Sequence, residues 1–267
     1  MKNSSLSVYV CGVIAMIFWG MSYVWSTQVF HYLNPTTTIF LRLVISCLFI
    51  GLTLLLFQKF EKIERKHIGL FALAALLEPF LYFIFESYGL LNASPIISST
   101  IIATIPLFTP IVAYFVLKEE MTGWNIVGFI VSFLGVFIML LNKEMELTAS
   151  TKGLVFLSLA VAVALCYSIA LKRLTVLYKP LTVTLTQNII GVIYFIPLVT
   201  IVEKTDWLPF IAPSANIAAV NSYIMPLLML GMFASSIAYA LWNYIFGKVG
   251  AAKANVYTNL IPVFTAI

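Results

Sequence analysis

Nine predominantly apolar stretches of 18–25 residues run through this chain, and they decide which solvent it folds in. They are Val8–Phe30, Pro35–Phe57, Ile68–Leu90, Ser94–Leu117, Gly123–Leu141, Gly153–Leu174, Leu181–Val202, Ser222–Phe246 and Gly250–Ile267. Crossing the hydrocarbon core of a bilayer takes about 20 helical residues at about 1.5 Å each. A water-soluble fold cannot hide this much apolar surface: 62% of the 267 residues are hydrophobic and only 9% are charged, against about 25% in soluble domains. The mean hydropathy of +1.04 says the same.

The stretches are expected to be helices. Helices satisfy their own backbone in lipid, and the alternating pattern of a membrane barrel is absent. The first stretch is too long for a signal peptide and lacks a small-residue cleavage site, so it reads as a span. The sequence therefore predicts an all-α, polytopic membrane protein with about nine helices in this chain. Cys11, Cys47 and Cys166 fall inside spans at no metal-ligand spacing and read as packing residues. His31 and His67 lie between spans and read as solvated.

Lysine and arginine set the orientation. With the N-terminus cytoplasmic, the inner segments carry eleven of them and the outer loops Lys143, Lys152 and Lys204. The opposite topology would reverse that bias. The expected location is thus the plasma or inner membrane. The net charge of +5 belongs to loops facing anionic lipid, and no nucleic-acid partner is implied.

A proline-centred heptad occurs twice. Ile105-Pro106-Leu107-Phe108-Thr109-Pro110-Ile111 returns as Ile261-Pro262-Val263-Phe264-Thr265-Ala266-Ile267. A shift of 156 residues overlays the third and fourth stretches on the eighth and ninth without a gap. Tyr88 then falls on Tyr244, Pro106 on Pro262 and Thr109 on Thr265. A shift of 145 puts Pro35 on Pro180 and Arg42 on Gln187. The repeating unit has five spans, and an odd number makes the second copy enter from the opposite side. That is the plan of many secondary transporters, with the substrate near the midplane between the halves. The expected units are residues 1–145 and 146–267, two inverted five-helix repeats. Ile267 corresponds to Ile111, so the second unit is expected to lack its last helix here; ten helices in the complete protein and truncation of this chain are the expectation.

These residues resemble an EamA-type transporter of the drug/metabolite transporter superfamily. The likeness is carried by Phe18-Trp19-Gly20-Met21-Ser22, by Pro35 followed by Arg42, by Tyr88-Gly89-Leu90 with Ala93-Ser94-Pro95, and by Pro106. Lys118-Glu119-Glu120, Gly128 and Gly135-Val136 continue it. The resemblance implies ten helices in two inverted halves that move metabolites across the membrane, commonly outward. Two departures stand out in the second half: Gln187 replaces the arginine, and Cys166-Tyr167 stands near the position of Trp19-Gly20.

Arg42, Glu78 and Glu86 carry the sharpest chemical signal. An ionisable group at a helix centre costs about 2.5–3.5 kcal/mol on the insertion scale and marks function by default. At about 1.5 Å per residue, Arg42 and Glu86 lie about 10 and 6 Å from the outer surface and Glu78 about 18 Å, near the midplane. An Arg42–Glu86 contact is expected, with Glu78 left deeper and unpaired, to bind a substrate amine or carry a coupling proton. The alternatives are an ion pair that only fixes helix register and a neutral, hydrogen-bonded Glu78.

Pro79, Pro106 and Pro262 each free a backbone carbonyl at mid-depth and are the candidate hinges. Trp19, Tyr23, Tyr82, Tyr239 and Trp242 could line a cavity and stack on a planar or cationic ligand, although aromatics also pack cores. Gln187, Asn188 and Asn243 are amides in lipid surroundings, which argues for a cavity or for helix-to-helix hydrogen bonds. Ala160/Ala164, Ala234/Ala238 and Gly128/Ser132/Gly135 have the spacing of close helix contacts.

No nucleotide-binding loop is present, no cofactor or metal is implied, and no nucleophile–base pair sits in the spans. The reading is a secondary transporter that exports or exchanges a small metabolite, an amino acid or related zwitterion or amine, by alternating access. Glu78 is the candidate for proton coupling. An uncoupled facilitator is the alternative; an intramembrane enzyme or a non-transporting scaffold fits least.

Overall fold

A computed structural model describes residues 2–57, 60–117, 127, 150–203 and 217–267. The described residues are nearly all helical and contain no strand. The expected fifth span, Gly123–Leu141, lies outside the described residues, as do Lys118-Glu119-Glu120 and the Gly128/Ser132/Gly135 run.

The first span is α1 (Lys2–Phe30) and the second α2 (Pro35–Leu56). The third is divided: α3 (Ile68–Ala75), a π-helical turn at Leu76–Leu81, then α4 (Tyr82–Leu90). The fourth comprises α5 (Pro95–Ile102) and α6 (Ile105–Leu117). The sixth and seventh expected spans are α7 (Thr151–Leu177) and α8 (Pro180–Pro197), the latter extended by a π turn at Leu198–Val202. Next come α9 (Ile217–Met229), a π-helical segment at Leu230–Ala238 and α10 (Tyr239–Asn255). A 3₁₀ turn at Val256–Leu260 leads into α11 (Ile261–Thr265).

Local chemistry explains the boundaries. Prolines occupy the first turn of α2, α5 and α8, where a missing N–H costs no helical bond. Ser94 and Ser150 cap α5 and α7 by accepting from the N–H groups of Ile97 and Gly153. The apolar run Ser222–Thr265 is 44 residues long, about twice what a bilayer takes. Gly250 breaks it, with φ +78° and ψ 172°, a backbone conformation open to glycine. The eighth and ninth expected spans meet there.

The prolines of the duplicated heptad correct one expectation. Pro106 and Pro262 do not kink a continuous helix. Each sits in the first turn of a new one, after a break at Ala103–Thr104 in one case and after the 3₁₀ turn in the other. The two helices begin at Ile105 and Ile261, which are 156 residues apart. The π segments of the third and eighth spans also overlap under that shift.

Packing centres on α1 and α7. The former lies against α9, α10, α11 and the Leu230–Ala238 segment, the latter against α4, α5, α6 and α10. Between them α2 packs on α8 and on the same segment. Ala160, Ala164, Ala234 and Ala238 are buried, as their spacing leads one to expect. Gly191 of α8 lets Pro79 approach so closely that a Cβ there would lie 2.5 Å from the ring. Leu48, Leu52 and Leu55 of α2 are exposed together, an apolar face for lipid. Two small readings change: Cys166 is exposed rather than packed, and the His67 Nδ1 is 2.7 Å from the Tyr178 hydroxyl.

Candidate functional site

Glu78 is where the third span loses its regularity. Its φ/ψ of −144°/120° is extended, inside the π turn that Pro79 forces, and its peptide to Pro79 is cis. Its carboxylate side chain is turned inward, and the residue is 7% exposed. Tyr239 of α10 donates its phenol proton to that carboxylate. The backbone carbonyl of Glu78 accepts from the Gln187 amide at 3.2 Å, and Gln187 also meets the Tyr167 hydroxyl at 3.1 Å. The expectation of an unpaired Glu78 is thus corrected: it is deep, but a phenol holds it.

Glu86 lies two helical turns further on. It accepts from Tyr23 of α1 at 2.7 Å and from Tyr82, one turn back on its own helix, at 2.8 Å. The expected Arg42–Glu86 contact does not form. Among the described residues the one ion pair is Lys66–Glu64, at the exposed surface. Arg42 instead donates through Nε to Ser235 Oγ at 2.7 Å, and its guanidinium carbon lies 4.3 Å from the centre of the Phe83 ring. Both groups line the same cavity, but direction around the helix decides the contact, and α2 turns Arg42 towards the Leu230–Ala238 segment.

All three charged groups face one cavity of about 50 Å³. A water needs about 10–15 Å³ on that measure, so the space admits a few waters and not an amino acid. Trp19, Tyr23, Tyr82, Tyr239 and Trp242 line it as well. Trp19 stands edge-on to Tyr239 with ring centres 5.1 Å apart and tilts against Trp242 at 5.2 Å. Ser168 lines this cavity and also a larger groove of about 660 Å³ that runs towards His67, Lys172 and Arg173.

Three expected lining residues are elsewhere. Asn188 donates to Ser46 Oγ at 2.8 Å and to the Ser235 carbonyl at 3.1 Å. Asn243 donates to Thr184 at 2.9 Å. Gln187 bridges as described, beside a much smaller void. The three amides tie helices together through their N–H groups, while the buried Asn243 Oδ1 has no partner among the described residues. They hold the wall of the cavity rather than its surface.

Sequence reasoning missed Phe83, Ile102, Ile105, Tyr167, Asn255, Thr258 and Ile261, which line the cavity. The 156-residue offset could have found most of them. It pairs Phe83 with Tyr239, Glu86 with Trp242, Ile102 with Thr258 and Ile105 with Ile261, and both members of every pair are lining residues. Among the described residues no three His, Cys, Asp or Glu side chains group closely enough to hold a metal ion.

The EamA-like transporter family matches residues 6–141 and again 151–267. The chain belongs to the EamA-like transporter family. EamA-family relatives are named in the same terms. The uncharacterized transporter YcxC of Bacillus subtilis (strain 168) is 28% identical over 201 residues, covering 72% of this chain and 62% of YcxC. An uncharacterized transporter of Archaeoglobus fulgidus is 24% identical over 258 residues, covering 95% of this chain and 86% of that protein. The uncharacterized transporter YyaM of B. subtilis is 24% identical and covers 98% of this chain and 85% of YyaM. A solved crystal structure superposes with a TM-score of 0.69 at 17% identity, over 97% of this chain and 87% of that one, which shows the fold alone. This EamA-family chain is a multi-pass membrane transporter, and such a protein has a small-molecule substrate.

Proposed function

We propose that this protein is a secondary transporter that exports or exchanges an amino acid or related zwitterion or amine by alternating access. The observation that carries the reading is two carboxylates and a guanidinium, Glu78, Glu86 and Arg42, facing one cavity ringed by indoles and phenols. A substrate ammonium would be drawn to either carboxylate, a substrate carboxylate to Arg42, and an apolar or aromatic body to Trp19 and Trp242. The 50 Å³ volume suits a closed state, which must widen to admit substrate. Two inverted five-helix repeats, residues 1–145 and 146–267, would supply that motion by rocking. The cavity is lined from α1, α2, α4 and α7 as well as α10 and α11, so it lies where such halves would part. With the lysine and arginine bias, we read the N-terminus as cytoplasmic and the location as the plasma membrane.

Glu78 is our candidate for proton coupling. It is the deeper of the two carboxylates, and its partner is a neutral phenol rather than a cation. The same hydrogen bond also fits an uncoupled facilitator in which Glu78 only binds. Thermal-shift screening of the purified protein against amino acids, amines and nucleosides tests the substrate class. Stabilisation by an amino acid or amine that disappears in Glu78→Gln and Trp242→Ala supports the site. A stabilising ligand whose effect survives both substitutions moves the site elsewhere.

A further inference from the structure

A second concave site lies at the end of the bundle that holds the N-terminus of α1. It is a groove of about 810 Å³ between the first turns of α1, the end of α10 and the 3₁₀ turn before α11. Its lining is largely apolar, from Val8, Val249, Val256 and Leu260, and it also carries Lys248 and Lys253 on either side of the Gly250 break. Tyr9 and Tyr257 close one side, with ring centres 6.4 Å apart.

The charge here is uncompensated among the described residues. Neither lysine is in an ion pair among the described residues, and Lys248 leans over the Tyr244 ring at 5.9 Å. The sequence holds no Asp or Glu anywhere from Trp207 to Ile267, and none from Lys2 to Phe30. The helices that build the groove therefore offer these ammonium groups no carboxylate. An apolar trough bearing two cations at a membrane surface has the complement of an anionic phospholipid, whose phosphate meets the cations and whose acyl chain fills the trough. On the orientation given above, this end faces the cytoplasmic leaflet.

We propose that this groove binds an anionic phospholipid, with Lys248 and Lys253 holding the headgroup phosphate. Tyr257 packs on Gly12 of α1, where a Cβ would lie 2.5 Å from its ring, and the next residue, Thr258, lines the central cavity. A lipid in the groove braces α1 against the turn that forms part of the cavity wall. The proposal does not depend on the substrate of that cavity.

The test is phosphatidylglycerol binding to the purified protein in detergent, counted by native mass spectrometry, with phosphatidylcholine of the same acyl chains as reference. Each lysine in contact with the bound headgroup contributes about a fivefold preference for anionic lipid. Lys248→Gln/Lys253→Gln is expected to lower the phosphatidylglycerol preference by roughly twentyfold or more, Lys248→Arg/Lys253→Arg to keep it, and Lys62→Gln/Arg65→Gln, on another loop, to keep it. Size-exclusion chromatography checks that each variant is folded. The proposal is overturned if the two lipids bind equally, if the double glutamine variant keeps the preference, if the Lys62/Arg65 variant loses it equally, or if inorganic phosphate displaces the lipid.

Discussion

The phenol of Tyr239 donates a hydrogen bond to the carboxylate of Glu78, joining residues 161 positions apart across the centre of the bundle. Glu86 has a matching arrangement with Tyr23 of α1, at 2.7 Å. Each of these carboxylates is thus anchored by a tyrosine from a different helix, and any movement of those helices acts directly on the acids.

We predict that Tyr239→Phe weakens substrate binding about tenfold or more. A hydrogen bond to a charged group contributes about 1.5–3 kcal/mol, which is roughly ten- to a hundredfold in an equilibrium constant. Tyr167→Phe, which touches Gln187 and not the Glu78 carboxylate, is expected to stay within about threefold. Titration of the stabilising ligand by thermal shift measures both, and equal losses would separate the phenol from the acid's function.

Proton coupling predicts a difference between the two acids. In proteoliposomes, wild-type flux and Glu86→Gln flux are expected to respond to an imposed pH gradient. Glu78→Gln flux is expected to ignore it. If Glu78→Gln still follows the gradient as wild type does, Glu78 carries no proton and the facilitator reading stands.

For Arg42, the structure replaces an ion pair with a hydrogen bond to Ser235 at 2.7 Å. A double-mutant cycle of Arg42→Gln and Ser235→Ala on unfolding stability should return a coupling of about 1 kcal/mol or more. The cycle of Arg42→Gln with Glu86→Gln should return less, since these two do not touch. The opposite order would restore the ion pair.

Close approach gives a fourth prediction. Gly191→Ala is expected to lose about 1–3 kcal/mol, because its new methyl meets the rigid Pro79 ring at 2.5 Å. Gly51→Ala meets nothing within 4 Å and should be neutral or stabilising, by up to about 1 kcal/mol. Thermal unfolding in detergent compares them.

The helical, membrane-spanning character of the chain was legible because lipid removes the alternatives: a long apolar run must be a helix. That Arg42 and Glu86 come near one another was legible too, since a constant rise per residue sets them at similar heights. Azimuth was not. A π turn at Leu76–Leu81 adds a residue between α3 and α4, so a wheel drawn at 3.6 residues per turn misplaces side chains across it. Gln187 and Asn188 lie at a promising depth but turn to neighbouring helices. Tyr167 and Thr258 were hidden among ordinary apolar neighbours, and only their register with Ser22 and Ile102 marked them.

A π segment is to a helix what a dislocation is to a crystal. It is one surplus residue, and it can travel along the chain by exchanging one backbone hydrogen bond for the next, so the number of bonds in lipid is conserved as it moves. The span that carries Tyr239 holds such a defect at Leu230–Ala238, whereas the one at Leu76–Leu81 is pinned by Pro79, which has no N–H to exchange. Migration past a residue would turn that residue by about 100° and leave the chain on either side in place. The eighth span has a way to re-aim its central side chains by glide, with no need to melt.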